Sequence, residues 1–470
     1  MRKGLIGGLF LVLLLVPLST LWASSGEEDL RALVHKLLRE VRELKKENAE
    51  LRSELEKLKA QRAPAPAEAL VTAPSQKKHS FFSKGGYGSS PSGIDFYGFF
   101  KLDAVWQDNS AVGNVYVLWA LPEDGDNKFT LNYRHSRFGF DFWKYYSGFK
   151  VFGKIEMDFY HAYSDWNDLH SALRARRVYA GVEKGTWQLV AGLDWQTVSQ
   201  LYPHLSNFPA GTFMGNFAFR MTQVRLSKWF NLGDSKLRVQ VAAEQPYSFD
   251  DKTAGIFDDD PANDAGFPGI EARVAYETKI DGKPALFALW GHFSQEEYDI
   301  KTGEEDADSY SLGLEVKVPV PLPFAHKAFL LGEIWTGRNV DRYYTAGVNQ
   351  GVKFDYGNGV YDTNGKNGVK NAIAVEEIDA TGGWIELEIF WTPKLVTHFG
   401  WGVDNPDDDD LDGVASARLQ QQMYYANFLY RITKDIAVGG EYMYIDCDYR
   451  ESYAEDGELN RFMASFYYFF

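Results

Sequence analysis

From Ile94 to Phe470 the apolar residues of this chain return at every second position, segment after segment. A strand turns successive side chains to opposite faces, so this alternation builds one apolar and one polar face. In "IDFYGFFKLDAVW", Phe96, Phe100, Leu102 and Trp106 share one side, and Asp95, Lys101 and Asp103 the other. "FKVFGKIEMDFYH" sets Phe149, Val151, Ile155, Met157 and Phe159 against Lys150, Lys154, Glu156 and Asp158. "WQLVAGLDWQ" sets Trp187, Leu189, Leu193 and Trp195 against Gln188, Asp194 and Gln196, and "KLRVQVAAEQ" and "WIELEIFW" repeat the pattern. Sixteen such segments begin near residues 94, 128, 149, 170, 187, 220, 236, 269, 284, 308, 326, 379, 395, 419, 436 and 458.

Their connections alternate in length. Short ones are "WKYYS", "KGT", "NLGDS", "DGK", "PVPLPF", "TP" and "TKD"; long ones cover residues 107–127, 197–219, 250–268 and 340–378, with "DNPDDDDLDG" at 404–413. Tyr and Phe are abundant at 27 and 33 residues. No apolar run after residue 25, however, approaches the ~18–20 residues of a membrane helix. Short turns at one end and long loops at the other predict an antiparallel up-and-down barrel of sixteen strands in an outer membrane. A water-filled lumen accommodates the charged faces, which a dry core would not. The last segment, "RFMASFYYFF", places Phe462, Ala464, Phe466, Tyr468 and Phe470 on one face. It is expected to close the barrel against the first strand, its aromatics toward lipid, and to serve as the signal read by the barrel-assembly machinery.

Upstream, Arg2 and Lys3 precede the apolar run Leu5–Val16, and Ala23 and Ser25 suit a cleavage site, so residues 1–25 read as a signal peptide. Residues 27–62 carry a heptad with Val34, Val41, Asn48 and Leu55 at a, and Leu30, Leu37, Leu44, Leu51 and Leu58 at d. The g-to-following-e pairs Glu40–Lys45, Glu47–Arg52 and Glu54–Lys59 are all opposite in sign, which fits parallel helices in register. This predicts a periplasmic α-helical coiled coil. Val at a with Leu at d leans toward a dimer, so the heptad alone leaves the oligomer number open. Residues 63–93 are a Pro/Ala and Gly/Ser linker, and residues 94–470 form the barrel domain. One cysteine, Cys447, excludes an intramolecular disulfide and a cysteine metal cluster. A net charge of −16 makes nucleic acid an unsuitable partner.

Taken in order, the heptad, the Pro/Ala linker, "YGFFKLDAVW", "SRFGFDFW", "GKIEMDFY", "LRARRVYAGVE" and "WQLVAGLDWQT" resemble the DcaP-like trimeric outer-membrane porins. The resemblance covers nearly the whole mature chain. It implies a sixteen-stranded barrel, three to an assembly, with a periplasmic coiled coil. It also implies passive uptake of small anions, notably dicarboxylates, through a pore narrowed by the third long loop, here residues 197–219. That loop contains neither lysine nor arginine, so a positive eyelet must come from the wall. The nearest alternative is a phosphate-selective porin, which a lysine-rich constriction would mark. A different alternative is an envelope tether, the coiled coil spanning periplasm and the pore incidental or plugged.

A porin selects by charge and diameter, without bond making. Strand parity points Lys101, Arg137, Lys154, Arg174, Arg176, Arg225, Arg238 and Arg273 inward, with Arg134 and Arg220 at strand ends. Arginine stays charged and offers a planar fork of donors to a carboxylate. The inward Asp103, Asp141, Glu156, Asp158 and Asp194 define the competing arrangement, an ion-pair lattice that neutralises the cations. The acidic stretches at 258–260, 304–308 and 407–410 read as solvated loops, the alternative being divalent ions that bridge surface lipopolysaccharide. None has the spacing of a defined calcium loop, and neither a cofactor nor a metal is expected. An enzyme is not expected either: His135 beside Ser136 is the only suggestive pair, and adjacent strand residues face opposite ways.

Overall fold

Where apolar side chains alternate with charged ones, only a closed sheet satisfies every backbone group within a membrane. The computed structural model has that form. It describes residues 79–80 and 92–470, apart from 114–116, 123–125, 163–170, 208–210, 218, 246–260, 342–348, 364, 366 and 452. The chain divides into Met1–Ala73 and Pro74–Phe470. The first unit, with the expected signal peptide and coiled coil, lies outside the described residues, as does most of the expected linker.

The barrel strands are β1 (Ser92–Gln107), β2 (Lys128–Asn132 and Arg137–Tyr146), β3 (Phe149–Ala162) and β4 (Ser171–Lys184). They continue as β5 (Trp187–Trp195), β6 (Arg220–Leu232), β7 (Ser235–Glu244) and β8 (Gly269–Ile280). Next come β9 (Lys283–Ile300), β10 (Gly303–Val320), β11 (Lys327–Arg338) and β12 (Asp379–Phe390). The last are β13 (Leu395–Pro406), β14 (Arg418–Arg431), β15 (Ile436–Tyr449) and β16 (Gly457–Phe469). Each pairs antiparallel with its sequence neighbour, and β16 closes on β1 in the register Phe99 to Phe469 through Gln107 to Arg461. The sheet counts eighteen segments because residues 133–136 break β2 in two and His79–Ser80 adds onto β1.

The terminal phenylalanine is tied in. Phe470 exchanges backbone hydrogen bonds with Gly98, 3.1 Å in each direction, and its ring lies 5.2 Å from those of Phe96 and Phe100. Phe100, Leu102, Trp106, Leu312, Leu314, Phe462 and Phe466 are exposed on the outer face, while Asp103, Glu156, Glu315 and Arg461 are buried inside. The parity follows from cost, since a lysine or arginine facing lipid at mid-membrane costs ~2–4 kcal/mol. Six of the seven short turns fall at the expected stretches, and the first comes later, at 147–148, because residues 143–146 continue β2. The turn between β8 and β9, Asp281-Gly282, has positive φ at both residues, 51° and 74°, the geometry that fits a two-residue hairpin to twisted strands.

The long connections depart from the expectation in three places. "EEDAD" is strand, not loop: β9 and β10 run on to a two-residue turn at 301–302. The connection between β11 and β12 carries a small sheet of Val352–Asp355, Tyr361–Asp362 and Ala374–Glu377. Its Val352, Phe354 and Val375 pack on Tyr298, Ile300 and Ala307 of the long β9–β10 hairpin, which supplies the apolar support such an excursion needs. The first long loop makes a two-residue ladder, Ala111–Val112 with Trp119–Ala120, whose Ala111 and Ala120 cluster with Met443, Ile445 and Cys447 of β15.

Candidate functional site: a cationic wall facing an anchored loop

The connection from β5 to β6 folds into the barrel, and carboxylates of the wall hold it there by its backbone. Thr197 N–H donates to Glu271 (2.6 Å), Leu201 N–H to Glu315 (2.5 Å) and His204 N–H to Glu386 (2.7 Å). Ser206 and Asn207 N–H both donate to Glu441 (2.6 and 2.7 Å), and Phe217 N–H to Glu333 (2.9 Å). A charge-assisted hydrogen bond of this kind contributes ~1.5–3 kcal/mol, and leaving such donors buried and unmade costs a similar amount. These glutamates belong to β8, β10, β11, β12 and β15, so the loop lies against the later half of the wall.

Apolar contacts reinforce the row. Phe217 inserts between Trp290 and Trp335, with ring centroids at 4.9 and 5.0 Å, and Met214 packs on Met423. Gly215 makes the closest approach. Its φ is +97°, and a Cβ there would collide with the Gly383 carbonyl of β12, so both the backbone conformation and the contact require glycine.

Across the lumen, β2 to β6 carry the cations. Arg174 is bidentate to Asp158 (3.0 and 2.8 Å), and Arg176 reaches Asp158 (2.7 Å) and Glu156 (3.1 Å). Arg137 lies 3.7 Å from Glu156, and Lys154 lies 2.5 Å from Asp141. Arg177 and Arg225 share Asp194, each at 2.7 Å. Among the ion pairs of the described residues, six cations, Arg137, Lys154, Arg174, Arg176, Arg177 and Arg225, meet four carboxylates, Asp141, Glu156, Asp158 and Asp194, and Asp95 of β1 lies buried opposite Asp141. The cluster is also layered. The Arg174 side chain is 24% exposed over an Asp158 at 0%, and Arg177 is 24% exposed over an Asp194 at 3%. At these two pairs the carboxylate sits underneath and the guanidinium on top, whereas Arg176 (1%) is as buried as its partners and Asp141 (17%) is as exposed as Lys154 (13%).

The other expected residues are placed as follows. Arg238 pairs with Glu277 (3.4 Å) and Arg273 with Glu315 (2.7 Å). Lys101 is buried, bonded to Asp103 (3.1 Å) and to the loop carbonyl of Ser206 (2.5 Å), so it anchors the loop. Arg134 is buried in the turn that breaks β2. Arg220 starts β6 and stacks over Trp195 and Phe219, 5.1 and 4.3 Å from the ring centroids. The ion-pair lattice is thus real, but it is uneven in number and in depth. Arg177 escaped parity because β4 bulges: Glu156 opposes Arg177 and Met157 opposes Ala175, so Arg176 is the extra residue and both arginines turn inward. The Ser136 hydroxyl bonds the Lys101 backbone, and His135 Nδ1 lies 3.2 Å from Lys101 Nζ, so these two side chains do not form a nucleophile–base pair.

One further group joins loop to wall. His204 of the loop stacks on His398 of β13, with centroids 4.8 Å apart at 15°, beside Glu386 and Glu388 of β12. Burial alone would lower the affinity of His204 for a proton, but Glu386, hydrogen-bonded to it, and Glu388 outweigh burial and hold the imidazole above its usual range.

A closed sixteen-stranded antiparallel barrel with an apolar outer face, a charged interior and an inward loop defines a porin-like outer-membrane channel fold. Among solved structures, the chain is similar to the outer-membrane channel DcaP of Acinetobacter baumannii, with a TM-score of 0.63 and 20% identity over 81% of this chain and 97% of that one. OmpF of Salmonella typhi, in complex with daunomycin, gives 0.51 and 13% over 80% of this chain and 98% of that one. An anion-selective porin from Comamonas acidovorans gives 0.47 and 14% over 81% and 100%. No family model and no curated protein matches the sequence.

Proposed function

We propose that the protein is an outer-membrane porin for passive diffusion of small hydrophilic solutes, with preference for anions such as dicarboxylates. The observation that carries the reading is the depth of two pairs in the β2–β6 cluster, in which buried Asp158 and Asp194 hold Arg174 and Arg177 uppermost among six paired cations. A solute passing between this wall and the 197–219 loop meets guanidinium donors first. Two partly exposed guanidinium groups on one wall suit a solute with two carboxylates. The wall on the other side is acidic, and its glutamates keep their charge but are covered by the loop backbone that hydrogen-bonds them, so a solute does not contact them directly. In this reading Lys101, Arg134, Arg137, Lys154, Arg174, Arg176, Arg220, Arg225, Arg238 and Arg273 set the field along the solute path, Lys101 through the loop it anchors. The assembly is a homotrimer, with the heptad of residues 27–62 holding parallel helices in the periplasm.

Liposome swelling tests this reading. Proteoliposomes in isotonic solutions of an anionic, a neutral and a cationic solute of equal size are expected to swell fastest with the anion. Equal rates would leave a porin without charge preference, and no swelling would favour a plugged barrel.

A further inference from the structure

The junction of loop and wall at His204 and His398 carries more chemistry than a hydrogen bond needs. His204 Nδ1 lies 2.6 Å from Glu386 Oε1, and a carboxylate there takes the Nδ1 proton. His398 Nδ1 lies 2.6 Å from Asn427 Oδ1. The Asn427 amide nitrogen donates to the His204 carbonyl (2.7 Å) and to Glu441 (3.0 Å), so its oxygen faces the imidazole and accepts the Nδ1 proton. In both neutral rings the lone pair is therefore on Nε2. Both Nε2 atoms lie 3.8 Å from one atom, Glu388 Oε1. That oxygen is buried and accepts no hydrogen bond, whereas its twin Oε2 pairs with Lys317 at 3.1 Å.

Three atoms that each offer an electron pair thus converge on one gap, and a cation there, a proton on His204 or a metal ion, offsets their repulsion. We propose that His204 Nε2, His398 Nε2 and Glu388 Oε1 bind a divalent first-row metal ion of the zinc class, which clamps the inward loop to the barrel wall. Zinc takes imidazole nitrogen and carboxylate oxygen at ~2.0–2.2 Å, which puts two ligand atoms about 3.4 Å apart at the tetrahedral angle. Each imidazole-to-carboxylate separation, at 3.8 Å, lies a few tenths of an ångström from that. Glu386 and Asn427 hold the far nitrogens, the outer arrangement that fixes tautomer and ring orientation in histidine metal sites. With Glu386, Glu388 and Lys317 the pocket has a net charge of −1 before the ion enters, and imidazole donors favour zinc, copper and nickel over calcium or magnesium. His204 side-chain exposure of 27% leaves an approach from the lumen and room for water as fourth ligand.

The test is zinc binding by the full-length protein in detergent, measured by titration against a chromophoric chelator, beside His398→Gln and Glu388→Gln. One site per chain is expected, with affinity falling at least ~tenfold in each variant, and Co²⁺ should give the visible bands of a tetrahedral site only in the unmodified protein. Absence of a stoichiometric site, or equal affinity in the variants, would overturn the proposal. Glu388→Gln preserves volume and keeps an acceptor oxygen for Lys317, so it supplies the comparison if His398→Gln does not fold. Binding is measured without current flow, so a failure here is distinct from a failure of the anion-channel reading.

Discussion

Replacing Arg174 and Arg177 together by glutamine is expected to abolish anion preference while leaving the barrel folded. The β2–β6 cluster drops from six cations on four carboxylates to four on four, and the two that go are the most exposed of the set opposite the loop. Folding survives because each buried carboxylate keeps a partner: Asp158 retains Arg176 at 2.7 Å, and Asp194 retains Arg225 at 2.7 Å. Partly exposed ion pairs contribute only ~0.2–1 kcal/mol each, so the cost in stability is small next to the change in field. Single-channel recording under a salt gradient gives the selectivity, and heat-modifiable migration on a gel gives the folded state. Unchanged selectivity in a folded variant would mean that these two arginines do not set it.

The second large effect concerns the loop. Glu441→Gln combined with Glu386→Gln is expected to raise single-channel conductance and to make the open level noisy. Glu441 accepts from two loop amides and from Asn427, and Glu386 accepts from the His204 amide, the His204 ring and the Tyr425 hydroxyl. A glutamine side chain has one acceptor oxygen and presents an NH₂ to donors, so at 441 at least one N–H meets another donor, and at 386 the His204 ring must give up its Nδ1 proton to avoid the same clash. With ~1.5–3 kcal/mol at stake per charge-assisted bond, the segment from His204 to Asn207 detaches for an appreciable fraction of time. Phe217, between two tryptophans, keeps the far end of the loop in place. A quiet channel of unchanged conductance would show that the carboxylate row is not what holds the loop.

The strand system was legible because its signal is local and repeated: each of sixteen segments carries its own parity, and lipid enforces it. Lys101, Arg137, Arg174 and Glu156 all point as alternation dictates. Arg177 did not follow, because a bulge depends on how two strands pair, and "RARR" alone does not reveal which residue will be extra. The anchoring glutamates illustrate a different limit. Glu271, Glu315, Glu333, Glu386 and Glu441 all occupy inward positions, and that much is visible in the sequence. That their partners are backbone amides of one loop is not, since an amide has no sequence signature and the pairing spans up to 235 residues. The inward Trp290, Trp335 and Trp384 sit on the face that parity assigns to polar residues, and only the docked loop explains them.

The central claim is that the layered cations make the lumen attractive to anions, and the reversal potential of the purified protein in a planar bilayer under a KCl gradient tests it most directly. The account predicts a reversal potential of the sign set by chloride, with current reduced when succinate or phthalate is added to one side. A reversal potential of the sign set by potassium would mean that the inward acids govern the pore, and would contradict it.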